Sequence, residues 1–132
     1  MTDTQRAREY FKKDVYATDT TGIVIEEVRG EYVRCSLNVT EKHMNAGGRV
    51  MGGAIYTMAD FIFAVAANFD KPLTVTAVSQ INYVGAAKSN VLIGESKLIK
   101  DGRRSCLYEI TIKDSEGNLI AVITTNGMHI EQ

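Results

Sequence analysis

HMNAGGRVMGGAIYTMAD, residues 43–60, runs from a glycine-rich loop through the Gly52–Gly53 pair into an apolar segment that carries one carboxylate, Asp60. Backbone amides at a glycine-led helix start have no intrahelical acceptor, so they can hold a carbonyl oxygen or another anion. An acid among apolar neighbours is costly unless something satisfies or uses it. The combination points to chemistry on a carbonyl compound.

The apolar segment reads as one helix from Gly52 to about Asn68. On a wheel of 3.6 residues per turn, Asp60 shares its side with Gly53, Thr57, Ala64 and Ala67, with Tyr56 and Phe63 on one flank. The opposite side carries Ile55, Met58, Ile62 and Val65. One face is bulky enough to fill a core; the other is small and leaves room for a ligand or another backbone. Asp60 on that small face has two plain structural readings, a tie to a backbone amide or Thr57, or exposure to water at a subunit boundary. The glycines, likewise, permit turns and tight packing without any ligand.

Outward from this helix the chain reads as strands. Val33, Cys35, Leu37 and Val39 alternate with Arg34, Ser36 and Asn38, the period of a half-buried antiparallel strand. Thr21 to Glu27 reads as its neighbour across a turn at Arg29–Gly30. After Pro72, strands are expected over 73–84, 91–100, 104–114 and 119–130. Asp101–Gly102 marks one tight hairpin and Ser115 to Asn118 a looser one. Ahead of them, Ala7, Tyr10, Phe11 and Val15 at helical spacing predict a short amphipathic helix laid against the domain. A helix apolar nearly all round must be surrounded. The expected fold is α+β, one curved antiparallel sheet wrapped on one long helix, in a single domain over 1–132.

Composition narrows the function. A net charge of −1 and a pI near 6.1 give no electrostatic footprint for nucleic acid. The opening MTDTQRAREYFKKD is too polar for a secretory signal. The apolar run 52–67 falls short of the ~20 residues of a membrane span, and Asp60 interrupts it. Two cysteines, Cys35 and Cys106, suit a reducing compartment, and a soluble cytoplasmic protein is expected. His43 and His129 stand far apart without acid clusters, so no metal site is expected. No serine-nucleophile elbow, phosphate loop or dinucleotide fingerprint occurs, and no cofactor is called for.

Gly52 and Asp60 lie eight residues apart, roughly 12 Å along one helix at ~1.5 Å per residue. An aspartate side chain cannot close that gap. The pair meets on one carbonyl only if two helices run antiparallel, as in a two-fold dimer with two equivalent sites.

His43, Asn45, Gly48, Gly52, Gly53 and Asp60 at these spacings resemble the hotdog-fold thioesterases of the phenylacetic-acid-degradation (PaaI-like) type. That family's pattern is roughly H-x-N-x-x-G-x-x-H-G-G, six variable residues, then D. TVTAVSQINYVGAA and DSEGNLIAVITTNGMHI resemble its following strand and closing hairpin. The resemblance implies a hotdog fold and an acyl-CoA thioesterase that works as a homodimer or dimer of dimers. By position it assigns Asp60 as nucleophile or general base, the Gly52 amide as oxyanion donor, Asn45 as a holder of the reacting group, and Thr76 as a hydroxyl assisting acid or water. Met51, Gly53, Tyr56 and Phe63 would line the acyl group. One departure stands out: Met51 replaces the usual His before the glycine pair, and a methionine cannot donate a hydrogen bond.

Two rival readings follow. Met51 favours a non-catalytic acyl-CoA-binding or sensing protein. An enoyl-thioester hydratase would pair an acid with a histidine, for which His43 is the nearby candidate. Lys88, Lys97, Lys100, Arg103 and Arg104 form either a solvated hairpin or a set that meets the phosphates of CoA.

Overall fold

Six strands form one antiparallel sheet in the computed structural model, which describes residues 1–131. They are β1 (Val24–Arg29), β2 (Tyr32–Asn38), β3 (Thr74–Tyr83), β4 (Val91–Asp101), β5 (Ser105–Asp114) and β6 (Leu119–His129). Their spatial order is β1-β2-β4-β5-β6-β3. Val33, Cys35 and Leu37 of β2 turn inward, as their alternation predicts.

The long helix α2 (Gly52–Asn68) lies on the inner face of this sheet. Ile55, Met58, Ile62 and Val65 are buried, so the bulky side of the wheel is the side that packs. The approach is close enough to require a glycine beneath it. A Cβ on Gly94 of β4 would fall 2.5 Å from Ile62 Cδ1 and 2.6 Å from Ile112 Cδ1.

The helix α1 (Asp3–Phe11) is opened by a capping box. Gln5 N–H donates to Thr2 Oγ1, and Thr2 N–H donates to Gln5 Oε1. It buries Ala7 and Phe11, whereas Tyr10 and Val15 point to solvent, so its apolar stripe is narrower than the spacing predicts. α1 covers the outer edge of β1. Arg8 Nε donates to the Ile25 carbonyl at 2.6 Å, and Val28 N–H donates to Thr4 Oγ1 at 3.0 Å. The opposite edge, β3, pairs only with β6, and Val75 and Val78 are exposed along it.

Two local features depart from the sequence reading. The strand expected from Thr21 begins at Val24, because residues 16–21 form a π-helical turn closed by Gly22 at φ 89°. Thr21 is buried there, its carbonyl held by His43. In β3 the register slips between Thr76 and Val78. This bulge at Ala77 puts Thr76 and Ser79, three residues apart, on the same face of the strand.

Asp114 clamps the sheet end nearest the start of α2. Its carboxylate accepts N–H bonds from Lys88, Glu116 and Asn118 and from the Asn118 side chain. Burial alone would raise its pKa, but these donors outweigh it and hold the group at about 2. A carboxyl depressed in the folded state adds stability that is complete above the usual carboxylate range and lost as pH falls towards about 2. Thermal melts should therefore place Asp114→Asn below wild type at pH 7, with the difference closing as the pH is lowered through that window.

Candidate active site

Loop residues 40–51 aim the first turn of α2. Thr40 N–H donates to His43 Nδ1 at 2.9 Å, which leaves Nε2–H to donate to the Thr21 carbonyl at 2.7 Å. Met51 N–H then donates to the His43 carbonyl at 2.8 Å. A buried ring with both nitrogens engaged is an anchor for the loop, not a group free to exchange protons with a ligand. This removes the histidine on which the hydratase reading depends.

Helical bonding begins with Ala54 N–H donating to the Met51 carbonyl, so the amides of Gly52 and Gly53 precede the helix's own bonds. Tyr83, from the end of β3, lies over this turn and donates its hydroxyl to the Gly52 carbonyl at 2.7 Å. A Cβ on Gly52 would stand 3.1 Å from that hydroxyl and 3.2 Å from its ring carbon. Asn45 reaches the same recess, about 480 Å³ in volume and walled also by Tyr83, Gly85 and Ile120. Its side-chain oxygen accepts from the Gly47 and Arg49 amides, so the NH₂ of Asn45 is the part left for a ligand.

Asp60 opens onto a different depression, of about 320 Å³, lined by Tyr16, Gly53, Tyr56, Thr57, Thr76 and Ser79. Thr57 does not tie it down; its hydroxyl donates to the Gly53 carbonyl. Tyr56 donates to the Ser79 carbonyl at 3.1 Å. Among the described residues no hydrogen bond or ion pair reaches the Asp60 carboxylate. Partial burial, then the charge of Asp14, push its pKa up. The structure thus places Asp60 with Thr76, Gly53 and Tyr56, and Gly52 with Asn45, in two separate recesses of one chain.

Other expected residues fall elsewhere. Phe63 is 2 % exposed and meets Tyr108 edge-on at 5.6 Å, so it belongs to the core and not to a ligand surface. Tyr56 and Phe63 share a flank but stand seven residues, roughly 10 Å, apart along the helix, and at Phe63 the sheet closes in so tightly that a Cβ on Gly127 would lie 2.6 Å from the ring. Met51 is the residue before the helix, half exposed, with no capping bond from its side chain. The cationic residues divide: Lys88 precedes β4, while Lys97 and Lys100 approach its far end and Arg103 and Arg104 follow it, a strand length of about 35 Å away. Cys35 and Cys106 are free and buried, and burial pushes the Cys35 thiol up to about 12. Among the described residues no group of three or more His, Cys, Asp or Glu could hold a metal ion. Tyr16, Ser79 and Tyr83 escaped the sequence reading. The π-turn and the bulge that place the first two leave no periodic trace.

A model of the thioesterase superfamily matches residues 47–121, more than half of the chain. A provisionally named esterase of Archaeoglobus fulgidus is 29% identical over 119 residues, covering 89% of this chain and 77% of that protein. A hypothetical thioesterase of Streptococcus pneumoniae, solved with coenzyme A, superposes with a TM-score of 0.84 at 25% identity, over 92% of this chain and 98% of that one. Structures of a pneumococcal hypothetical thioesterase with an aspartate or, sixteen positions later, a threonine replaced by alanine also match, at 26% identity and TM-scores of 0.78. They cover 83% of this chain and 92% and 91% of those chains. PaaI of E. coli, from the phenylacetic acid degradation operon, shares the fold with a TM-score of 0.88 at 18% identity, over 97% of this chain and 94% of that one. The sheet wrapped on α2 is the hotdog fold.

The contact between Tyr83 and the turn at Gly52 is testable by itself. Tyr83→Phe and Gly52→Ala should each lower stability by about 1 kcal/mol, the first by losing a hydrogen bond and the second by displacing the ring. Because both break one contact, urea denaturation of the double variant should show less than the sum of the two losses.

Proposed function

We propose that this chain, which belongs to the thioesterase superfamily, hydrolyses an aryl- or acyl-CoA thioester to the free acid and CoA at a site completed by a second copy of itself. The observation that carries the reading is Asp60: a carboxylate without a partner, beside Thr76, in a recess separate from the unbonded amide of Gly52. Roughly 12 Å of helix separates the two within one chain. Antiparallel apposition of two α2 helices would bring each Asp60 to the other's Gly52.

The sheet edges favour that assembly. α1 occupies the β1 edge through Arg8 and Thr4; β3 has no strand beyond it, is met on that side by Asn68 at Thr74 and Tyr56 at the Ser79 carbonyl, and exposes Val75 and Val78. An open, apolar edge strand is a ready template for pairing. Pairing β3 with its copy would lay Thr76 and Asp60 near the shared boundary. Further pairing into a dimer of dimers fits the same symmetry.

In this reading the Gly52 amide polarises the thioester carbonyl and receives the developing oxyanion, with the NH₂ of Asn45 beside it. Ionised Asp60 takes a proton from the attacking water, or attacks the carbonyl itself to form an anhydride that water then opens. Thr76 holds the carboxylate or the water. The carbon–sulfur bond breaks, and the CoA thiolate leaves and takes up a proton. Coenzyme A in the pneumococcal relative supports the leaving group, and the sixteen-residue spacing of its substituted aspartate and threonine equals that of Asp60 and Thr76.

Thiol release from a panel of aryl- and acyl-CoA thioesters tests this directly. Wild type should turn over at least one, with an acid limb above the usual carboxylate range because Asp60 must be ionised. Asp60→Asn should abolish release while leaving fold and dimer intact, and a fully active Asn variant sinks the assignment. Tight acyl-CoA binding without any release would favour the binding-protein reading, in which Met51 in place of a donor at the helix start has removed turnover.

A further inference from the structure

Thr125 on β6 is sealed in the core, 1 % exposed, and Ser79 Oγ lies 3.0 Å from its hydroxyl. The two residues are direct cross-strand partners in the β3–β6 register. Among the described residues Thr125 Oγ1 has no other hydrogen-bond partner. A buried hydroxyl hydrogen without an acceptor is costly, whereas an oxygen with a spare lone pair is not. Thr125 therefore donates and Ser79 accepts, which leaves the hydrogen of Ser79 without a use inside the fold.

Ser79 lines the Asp60 depression, and the bulge at Ala77 is what turns it there. Without that bulge, Ser79 would face away from Thr76. The remaining hydroxyls of α2 in the wall are spent on other acceptors, Tyr56 on the Ser79 carbonyl and Thr57 on the Gly53 carbonyl. Asp60 is the one anionic acceptor in that wall.

We infer that Ser79, oriented by Thr125, donates its hydroxyl hydrogen through one water to the Asp60 carboxylate, and so acts as a positioning residue for it. The inference rests on the role given to Asp60 above, yet its physical content is a hydrogen bond that can be measured without turnover. A donor to the ionised form favours that form, so Ser79 opposes the upward push on Asp60 from burial and Asp14. The titratable groups around Asp60 are Asp14 and Tyr16 from the segment ahead of β1 and Tyr56 from α2. β3 contributes only the hydroxyls of Thr76 and Ser79.

The test follows the ¹³C carboxyl resonance of Asp60 through a pH titration in the folded, full-length protein. Ser79→Ala should move the midpoint to higher pH, and Thr125→Val should move it the same way by less. Thr125→Ser, which keeps the donor, should restore the titration lost in Thr125→Val. Asp14→Asn supplies the reference of opposite sign, because it removes a repelling charge. If the wild type releases thiol, Ser79→Ala should lower kcat about tenfold with KM little changed, and its acid limb should follow the resonance. An Asp60 midpoint unchanged by Ser79→Ala in a protein that melts cooperatively overturns the inference. A wild type that releases no thiol overturns the thioesterase reading instead, while the titration still decides the hydrogen bond.

Discussion

The seating of α2 on the sheet constrains everything else in this molecule. Ile55, Met58, Ile62 and Val65 press into the inner face so closely that β4 must offer a glycine, Gly94, under Ile62. Burying four large apolar side chains contributes on the order of 1.5–3 kcal/mol each, before the entropy of ordering them is subtracted. With that face committed, the helix has no freedom to rotate about its axis. Gly53, Thr57 and Asp60 must then lie on the side away from the sheet's centre, against β3. The position of the acid is thus a consequence of hydrophobic packing on the opposite face.

The same geometry divides the site. A straight helix cannot bring its first turn to its own third turn, so free amide and free carboxylate stay in separate recesses of one chain. The two edges of the sheet are treated differently. β1 is closed by side chains of α1, whereas β3 has no strand beyond it and exposes Val75 and Val78, with α2 side chains meeting its backbone at Thr74 and Ser79. The Asp60 part of the helix small face and the β3 edge lie side by side across one shallow recess. A two-fold partner would satisfy both with one contact, because an isologous interface presents each surface to its own copy.

Much of this was legible in residue order because it depends on period. Alternation in β2, the Asp101–Gly102 turn and the two faces of α2 are local patterns; five of the six strands fall within about one residue of the expected bounds, and β1 within about three. What was not legible depends on residues distant in sequence. Phe63 and Tyr56 share one flank of the wheel beside Asp60, and only the strands that close over that flank two turns along, β5 with Tyr108 and β6 with Gly127, make one core and leave the other as wall. His43 reads as the histidine a hydratase would pair with an acid until the Thr21 carbonyl, 22 residues earlier, engages its Nε2. The π-turn over 16–21 displaced a predicted strand start, since the four-residue spacing of its buried Ala17 and Thr21 fits a helical turn and one face of a strand alike. The bulge at Ala77 changes which side chains share a face without changing the composition of the strand.

Asp60 and Asp114 make the final distinction. Asp114 is buried at the sheet end and Asp60 stands exposed at its recess, and desolvation is the first influence on each. Asp114 receives backbone N–H groups from three residues and falls to about 2; Asp60 receives none and rises. A carboxyl lowered on folding stabilises the native state at neutral pH, whereas one raised on folding takes stability away there. The fold therefore gains from Asp114 at neutral pH and loses at Asp60. Among the described residues no group bonds Asp60 directly, and the recess in front of it is lined by the hydroxyls of Thr76 and Ser79. Donor geometry, and not burial alone, separates the two aspartates. It is set by where the hairpin turns its amides and where α2 has none left to offer.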